Sequence, residues 1–160
     1  MGGSPRPAPV VVIGLGNTMR HDDAAGIEVV RLLGARARAL RIAAIEQHGE
    51  PLALLELWEH AHAAVVIDAV RSGAAAGTIH RVEASARSLG PLAASASTHA
   101  VGLDTAIELA RTLGRLPSRV VVFGLEGARF DLGRGLSDQL QDVLADLADT
   151  VLREAQRLAA

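Results

Sequence analysis

The chain has no cysteine, no tyrosine and no lysine among its 160 residues. Thiol nucleophiles, lysine Schiff bases, the Walker lysine and cysteine zinc sites are therefore outside its chemistry. Trp58, Phe123 and Phe130 are its whole aromatic content, too little for base-stacking platforms, and they read as core or loop anchors. No apolar run approaches the roughly 18 residues of a membrane span, and the opening MGGSPRPAP lacks the apolar core of a secretory signal. Position 6 is Arg6 where a myristoylation signal has Ser or Thr. The formal charge of -2 gives no electrostatic reason for a nucleic-acid or membrane partner. A cytoplasmic monomer is the expectation. What remains for catalysis is carboxylate, imidazole, hydroxyl, Asn, Arg and backbone amide.

A chain of this length buries roughly 70% of the surface its unfolded form exposes, enough for one core. Residues 1–9 read as a flexible tail and 10–160 as a single domain. Val10 to Ile13 form a β-branched run that suits a parallel strand buried on both faces. Ile27, Val30, Leu33 and Leu32 then sit at helical spacing, with Gly34 near the helix end. Arg41 to Glu46 reads as a strand broken by His48-Gly49-Glu50-Pro51, and Pro51 opens a helix to Glu59 with Leu52, Leu55 and Trp58 inward. Ala63 to Val70 is a buried strand carrying Asp68, and Thr78 to Glu83 is an edge strand. A Ser/Ala/Gly-rich loop from Ala84 to Thr98 leads to a helix from His99 to Leu113 with Leu103, Ile107 and Ala110 on one side. Val120 to Phe123 is the last strand; Gly124 to Gly135 is a loop; Ser137 caps a long helix with Leu140, Val143, Leu144, Leu147 and Val151 inward.

This alternation predicts an α/β three-layer sandwich, a mostly parallel twisted sheet of about five strands with helices on both faces. Ligands in such sheets bind beyond the carboxyl ends of the strands, where the order reverses. With an order beginning 2-1-3, the turn at Gly14 and the end of the strand at Asp68 face one another.

The stretch from Val10 to Val30 admits four chemical readings. Gly14-x-Gly16 between a strand and a helix suggests a dinucleotide fingerprint, but the third glycine falls at Met19. Asp22 or Asp23 can cap the helix that follows, favoured there by the helix dipole. Asp23, Asp68 and His99, separated by 45 and 31 residues, can assemble a carboxylate and imidazole site from separate loops, suited to a divalent transition metal with open positions. Against this, Asp68 can cap a neighbouring loop and His99 can be a satisfied helix-start histidine. Finally, Ser95, Ser97 and Thr98 beside His99 offer hydroxyls, but sequence neighbours rarely pair as nucleophile and base, and there is no G-x-S-x-G elbow.

GLGNxxxxDD at Gly14 to Asp23, VIDAV at Val66 to Val70, STHAVGL at Ser97 to Leu103 and FGLEG at Phe123 to Gly127 together resemble the [NiFe] hydrogenase maturation endopeptidase family. FDLGRGLS before the last helix is also similar to that family, and the resemblance runs from Val10 to the last helix with the motifs in order. It implies an aspartic-type endopeptidase that cuts a C-terminal extension from the hydrogenase large-subunit precursor after nickel insertion. By the same resemblance Asp23, Asp68 and His99 recognise the nickel, which is contributed by the substrate rather than permanently bound. Asp23 and Asp68 are the expected catalytic carboxylates, Asp22 the helix cap, and Asn17 with His48, Gly49 and Glu50 the substrate-binding positions. The family usually has glycine where Ala24 and Ala100 stand, and Asp-Gly-Gly-Thr in some members where this chain has His48-Gly49-Glu50. Two rivals share features of the pattern. Peptidyl-tRNA hydrolases also open with strand and Gly-Leu-Gly-Asn, but need a basic surface, which sixteen basic against eighteen acidic residues do not provide. A non-catalytic nickel-dependent hydrogenase chaperone would keep the metal residues without cutting.

Overall fold

The computed structural model describes residues 9–90 and 98–160, the side chains of 98–101 excepted. The elements are β1 (Val10–Leu15), a 3-10 turn (His21–Ala24), α1 (Ala25–Ala39), β2 (Ala43–Gln47), α2 (Pro51–Trp58), β3 (Ala63–Val70), β4 (Ile79–Glu83), α3 (Thr98–Thr112), β5 (Arg119–Glu126) and α4 (Asp138–Ala159). They form one five-stranded sheet in the order β2-β1-β3-β5-β4, with β4 antiparallel to β5 and every other pairing parallel. The expected fold class, the 2-1-3 start and the edge position of β4 all hold. Every residue of β1 and β3 is buried, as their unbroken apolar runs require of strands covered on both faces.

Strand pleating divides the core into two layers. Val12, Val65, Ile67, Val121 and Phe123 pack under α1 and α4. Val11, Ile13, Val66, Val120 and Val122 pack under α2 and α3, with Trp58, Leu54 and Ile107. Because side chains alternate along a strand, Asp68, two residues from both Val66 and Val70, points to the α2/α3 layer. Each fully buried leucine of these layers stabilises the fold by roughly 2 to 3 kcal/mol.

Glycines let α1 lie on the sheet. A Cβ at Gly14 would overlap the Gly26 carbonyl, and one at Gly26 would overlap the carbonyl oxygens of Leu15 and Ile67. The start of α1 is thereby seated directly on the backbone at the ends of β1 and β3.

Four details differ from the sequence reading. Gly34 does not end α1 but kinks it (φ 15, ψ -98), and the helix continues to Ala39. Leu32 and Leu52 are exposed at 49% and 70%, and Leu54 replaces Leu52 in the inward stripe of α2. The last strand runs through Gly124 to Glu126, because pairing with β3 and β4 supplies hydrogen bonds to residues whose glycines suggested a loop. Ser137 occupies the N-cap of α4 without a side-chain cap bond.

On the α1/α4 side, Arg81 of β4 and Arg157 reach Glu154 of α4 at 2.5 and 2.7 Å. Burial pushes the Glu154 carboxyl up, but the bonds from Arg157 and Arg81 outweigh it and hold it below the usual carboxylate range. Its contribution is complete above the unfolded carboxyl's pKa, about 4.3, and is lost as pH falls through the depressed folded value. Glu154→Gln should lower the unfolding free energy by about 1 kcal/mol at pH 7, and the gap should close on acidification, as read by urea denaturation from neutral to acid pH. Gly26→Ala should cost about 3 kcal/mol or more, because only backbone can move to admit the methyl group; the same denaturation assay measures it.

Candidate functional site

The β1–α1 connection turns sharply after Leu15. Gly16 N–H donates to the Gln47 carbonyl at 3.1 Å, which fixes the turn against the end of β2. Asn17 Oδ1 accepts the Met19 N–H at 2.9 Å, so this side chain closes its own turn, and Asn17 N–H donates to the Asp23 carbonyl at 3.2 Å. His48 Nδ1 lies 3.1 Å from the Gly16 carbonyl, which joins the β2–α2 loop to the same turn. Gly49 is buried and Glu50 exposed. A Cβ at Gly102 would overlap the Gly49 carbonyl, so α3 comes down on that loop one turn after its own start.

The adjacent acids do different work. Asp22 is fully buried, and its carboxylate accepts from the backbone of Ala128 (2.7 Å), Arg129 (2.9 Å) and Ser137 (2.7 Å) and from the Ser137 hydroxyl (2.8 Å). The expected cap is therefore absent: neither the 3-10 turn nor α1 has a side-chain cap bond. Charge-assisted bonds to four donors outweigh a single capping bond of about 1 kcal/mol. Ser137 gives its hydroxyl to Asp22 for the same reason. Around this carboxylate the two loops form a ladder, with His21 N–H on the Gly133 carbonyl and Gly133 N–H on the Met19 carbonyl, each at 2.8 Å. Arg20 Nε also donates to the Phe130 carbonyl at 3.1 Å, and the Arg71 guanidinium sits 4.6 Å from the Phe130 ring centroid.

Asp23 follows in the 3-10 turn and is 4% exposed. Asp68, 1% exposed, lies near the carboxyl end of β3 on the α2/α3 layer. The His99 backbone lies in the first turn of α3, but its side chain falls outside the described residues, as do Ser95 and Ser97 and the side chain of Thr98. The structure thus brings the 3-10 turn, the end of β3 and the β2–α2 loop to one sheet edge, with α3 beginning over that loop. Among the described residues no three metal-capable side chains cluster, a set that lacks His99. Ala24 takes an ordinary right-handed conformation (φ -81, ψ -5), and Ala100 is within α3, so neither needs a glycine.

A family model for hydrogenase maturation proteases matches residues 27–154. The chain belongs to the hydrogenase maturation protease family. It is 28% identical over 153 residues to the hydrogenase expression/formation protein HupD of Rhodobacter capsulatus, spanning 95% of this chain and 71% of that one. HupD of Thiocapsa roseopersicina is 26% identical over 147 residues, spanning 89% and 66%. The solved hydrogenase maturating endopeptidase HybD from E. coli superposes with a TM-score of 0.79 at 19% identity, covering 93% of each chain. HybD from Thermococcus kodakarensis gives 0.74 at 22%, covering 92% and 99%. At those identities the superpositions speak for the fold, while the family model makes this chain a hydrogenase maturation protease and sets aside the peptidyl-tRNA hydrolase reading.

Sequence reasoning missed one buried acid of this maturation protease. Glu126, 1% exposed at the end of β5, accepts from Ser72 N–H (3.1 Å), from the Ser72 hydroxyl and from His80 Nε2 (3.0 Å). A charged residue closing an apolar strand was the available signal. A cleft of about 370 Å³ opens between Thr18, Glu28 and Arg31 and the Arg134–Leu136 loop, but it lies on the α1/α4 side, away from the layer that Asp68 faces. Nearby, the Arg129 guanidinium holds the exposed Asp131 carboxyl below its usual range.

Asp22→Asn replaces one acceptor oxygen by a donor amide, so at least one buried N–H or O–H loses its partner. Stability should fall by about 2 to 4 kcal/mol, and hydrogen exchange should show faster opening of 128–137. Protection equal to the wild type would contradict the clamp.

Proposed function

We propose that this maturation protease removes the C-terminal extension of a nickel-loaded [NiFe] hydrogenase large-subunit precursor, and that Asp23, Asp68 and His99 read the substrate's nickel. The observation that carries the proposal is the division of labour between adjacent acids. Asp22 is committed to the 128–137 loop, and that commitment leaves Asp23, the next residue of the turn, for the carboxyl end of the sheet, near which β3 carries Asp68. A buried aspartate in the middle of an otherwise apolar strand is costly to the fold, which favours a role in chemistry.

The nickel is part of the substrate, held by the precursor's own ligands. Two carboxylates and one imidazole, with no thiolate, make a reader of moderate affinity that can release the product. Cleavage is hydrolysis: a water oxygen bonds to the scissile carbonyl carbon, a carboxylate takes the water's proton, and the carbon–nitrogen bond breaks as the leaving nitrogen gains a proton. Asp23 and Asp68 are the carboxylates assigned to the water. Asn17 serves by holding the turn, while His48, Gly49 and Glu50 form the neighbouring wall toward the substrate. The partner is the precursor. Among the described residues no helix is long and apolar enough to cross a membrane.

Loss of the precursor's tail, followed by mass spectrometry under single-turnover conditions, tests this. Asp23→Asn, Asp68→Asn and His99→Ala should each slow cleavage by about 100-fold or more while remaining folded. Folded variants that process the nickel-loaded precursor at the wild-type rate would refute the site, and binding without cleavage by the wild type would make the protein a chaperone.

A further inference from the structure

The nitrogen that departs with the extension must be protonated. The carboxylate that takes the water's proton can return it, and a separate acid on the leaving-group side can give one of its own. The geometry points to His80, held by Glu126, as the residue that gives this proton; the inference rests on the endopeptidase reading of the same site.

Sheet register places His80 in the site's row. Asp68 of β3 pairs with Gly124 of β5, and Gly124 pairs with His80 of β4. Val66 and Val70 of β3, Val122 of β5 and Val82 of β4 all pack in the α2/α3 layer, and by alternation Asp68, Glu126 and His80 face it too. Arg81, the neighbour of His80, points the opposite way to Glu154 of α4. Between Asp68 and His80 the intervening strand contributes a glycine, so no β5 side chain stands in that row. Two strand spacings separate their α-carbons, roughly 10 Å.

The His80 side chain is 28% exposed, while Glu126 beneath it is 1% exposed. Ser72 fills much of the acceptor capacity of Glu126 through its amide and hydroxyl, and His80 Nε2 takes a further place at 3.0 Å. With Nε2–H directed at Glu126, Nδ1 is the nitrogen that exchanges a proton. Imidazole can give and take a proton near neutral pH, and an orienting carboxylate is what a catalytic histidine requires. In the balanced step, water adds to the carbonyl carbon and yields its proton to Asp23 or Asp68. The carbon–nitrogen bond then breaks and Nδ1–H of the protonated His80 passes to the leaving amine. Solvent reprotonates His80 through its exposed edge and takes up the proton left on the carboxylate. Glu126 is a positioning residue, acting through the imidazole.

The test is single-turnover cleavage of nickel-loaded precursor, with binding affinity measured separately. His80→Gln keeps a donor for Glu126 and should slow the chemical step by about 100-fold with precursor affinity unchanged. His80→Gly should be equally slow and regain rate when free imidazole is added. Glu126→Gln should lower the rate constant without weakening binding. Wild-type rate in folded His80→Gln, a defect confined to affinity, or failure of imidazole to restore His80→Gly would overturn the assignment while leaving the endopeptidase reading intact. A wild-type protein that does not cleave at all would overturn both.

Discussion

The buried carboxylate of Asp22 is the constraint on which the rest of the edge depends. It gathers donors from Ala128, Arg129 and Ser137, more than 100 residues away, onto the turn that follows β1. An ionised group with no exposure persists only where its lone pairs are met, and here four donors meet them. The consequence is directional: the 3-10 turn cannot rotate without breaking this set, so the residue after Asp22 has a defined place. The glycine contacts of α1 add a second restraint, since Gly26 lies against the carbonyls of Leu15 and Ile67.

The sheet supplies the complementary part. Pleating sends Asp68 to the α2/α3 layer, and the contact of Gly102 with the Gly49 carbonyl sets where α3 begins relative to the β2–α2 loop. Polar residues thus arrive at one edge from elements that share no local motif. Rigid strands and a clamped turn hold such an arrangement to the tolerance that chemistry needs. The protein carries no cysteine, so any metal contact it makes in the proposed reading comes from carboxylate and imidazole rather than thiolate.

Much of the fold was legible because it rests on periodicity. The runs Val10 to Ile13 and Ala63 to Val70 declare buried parallel strands, and the alternation of elements gives the layers. What was illegible depends on distant partners. Asp22 looks like a cap because caps are local, whereas its donors come from a loop 106 to 115 residues on. Gly124 looks like loop because its strand pairing is invisible in a single segment, and that error hid both the length of β5 and the parity that puts Glu126 and His80 on the layer of Asp68. Leu52 failed for a simpler reason: a short helix has few turns with which to resolve its inward face.

The proposed site requires that Asp23, Asp68 and His99 contact the nickel of the docked substrate. X-ray absorption at the nickel edge, recorded on nickel-loaded precursor alone and after adding this protein in a slowed variant such as His80→Gln, addresses it directly. Docking should add oxygen and nitrogen neighbours to the nickel, and these should diminish when Asp68→Asn is combined with that variant. A nickel spectrum unchanged by docking, from a precursor that the wild-type protein goes on to cleave, would contradict it.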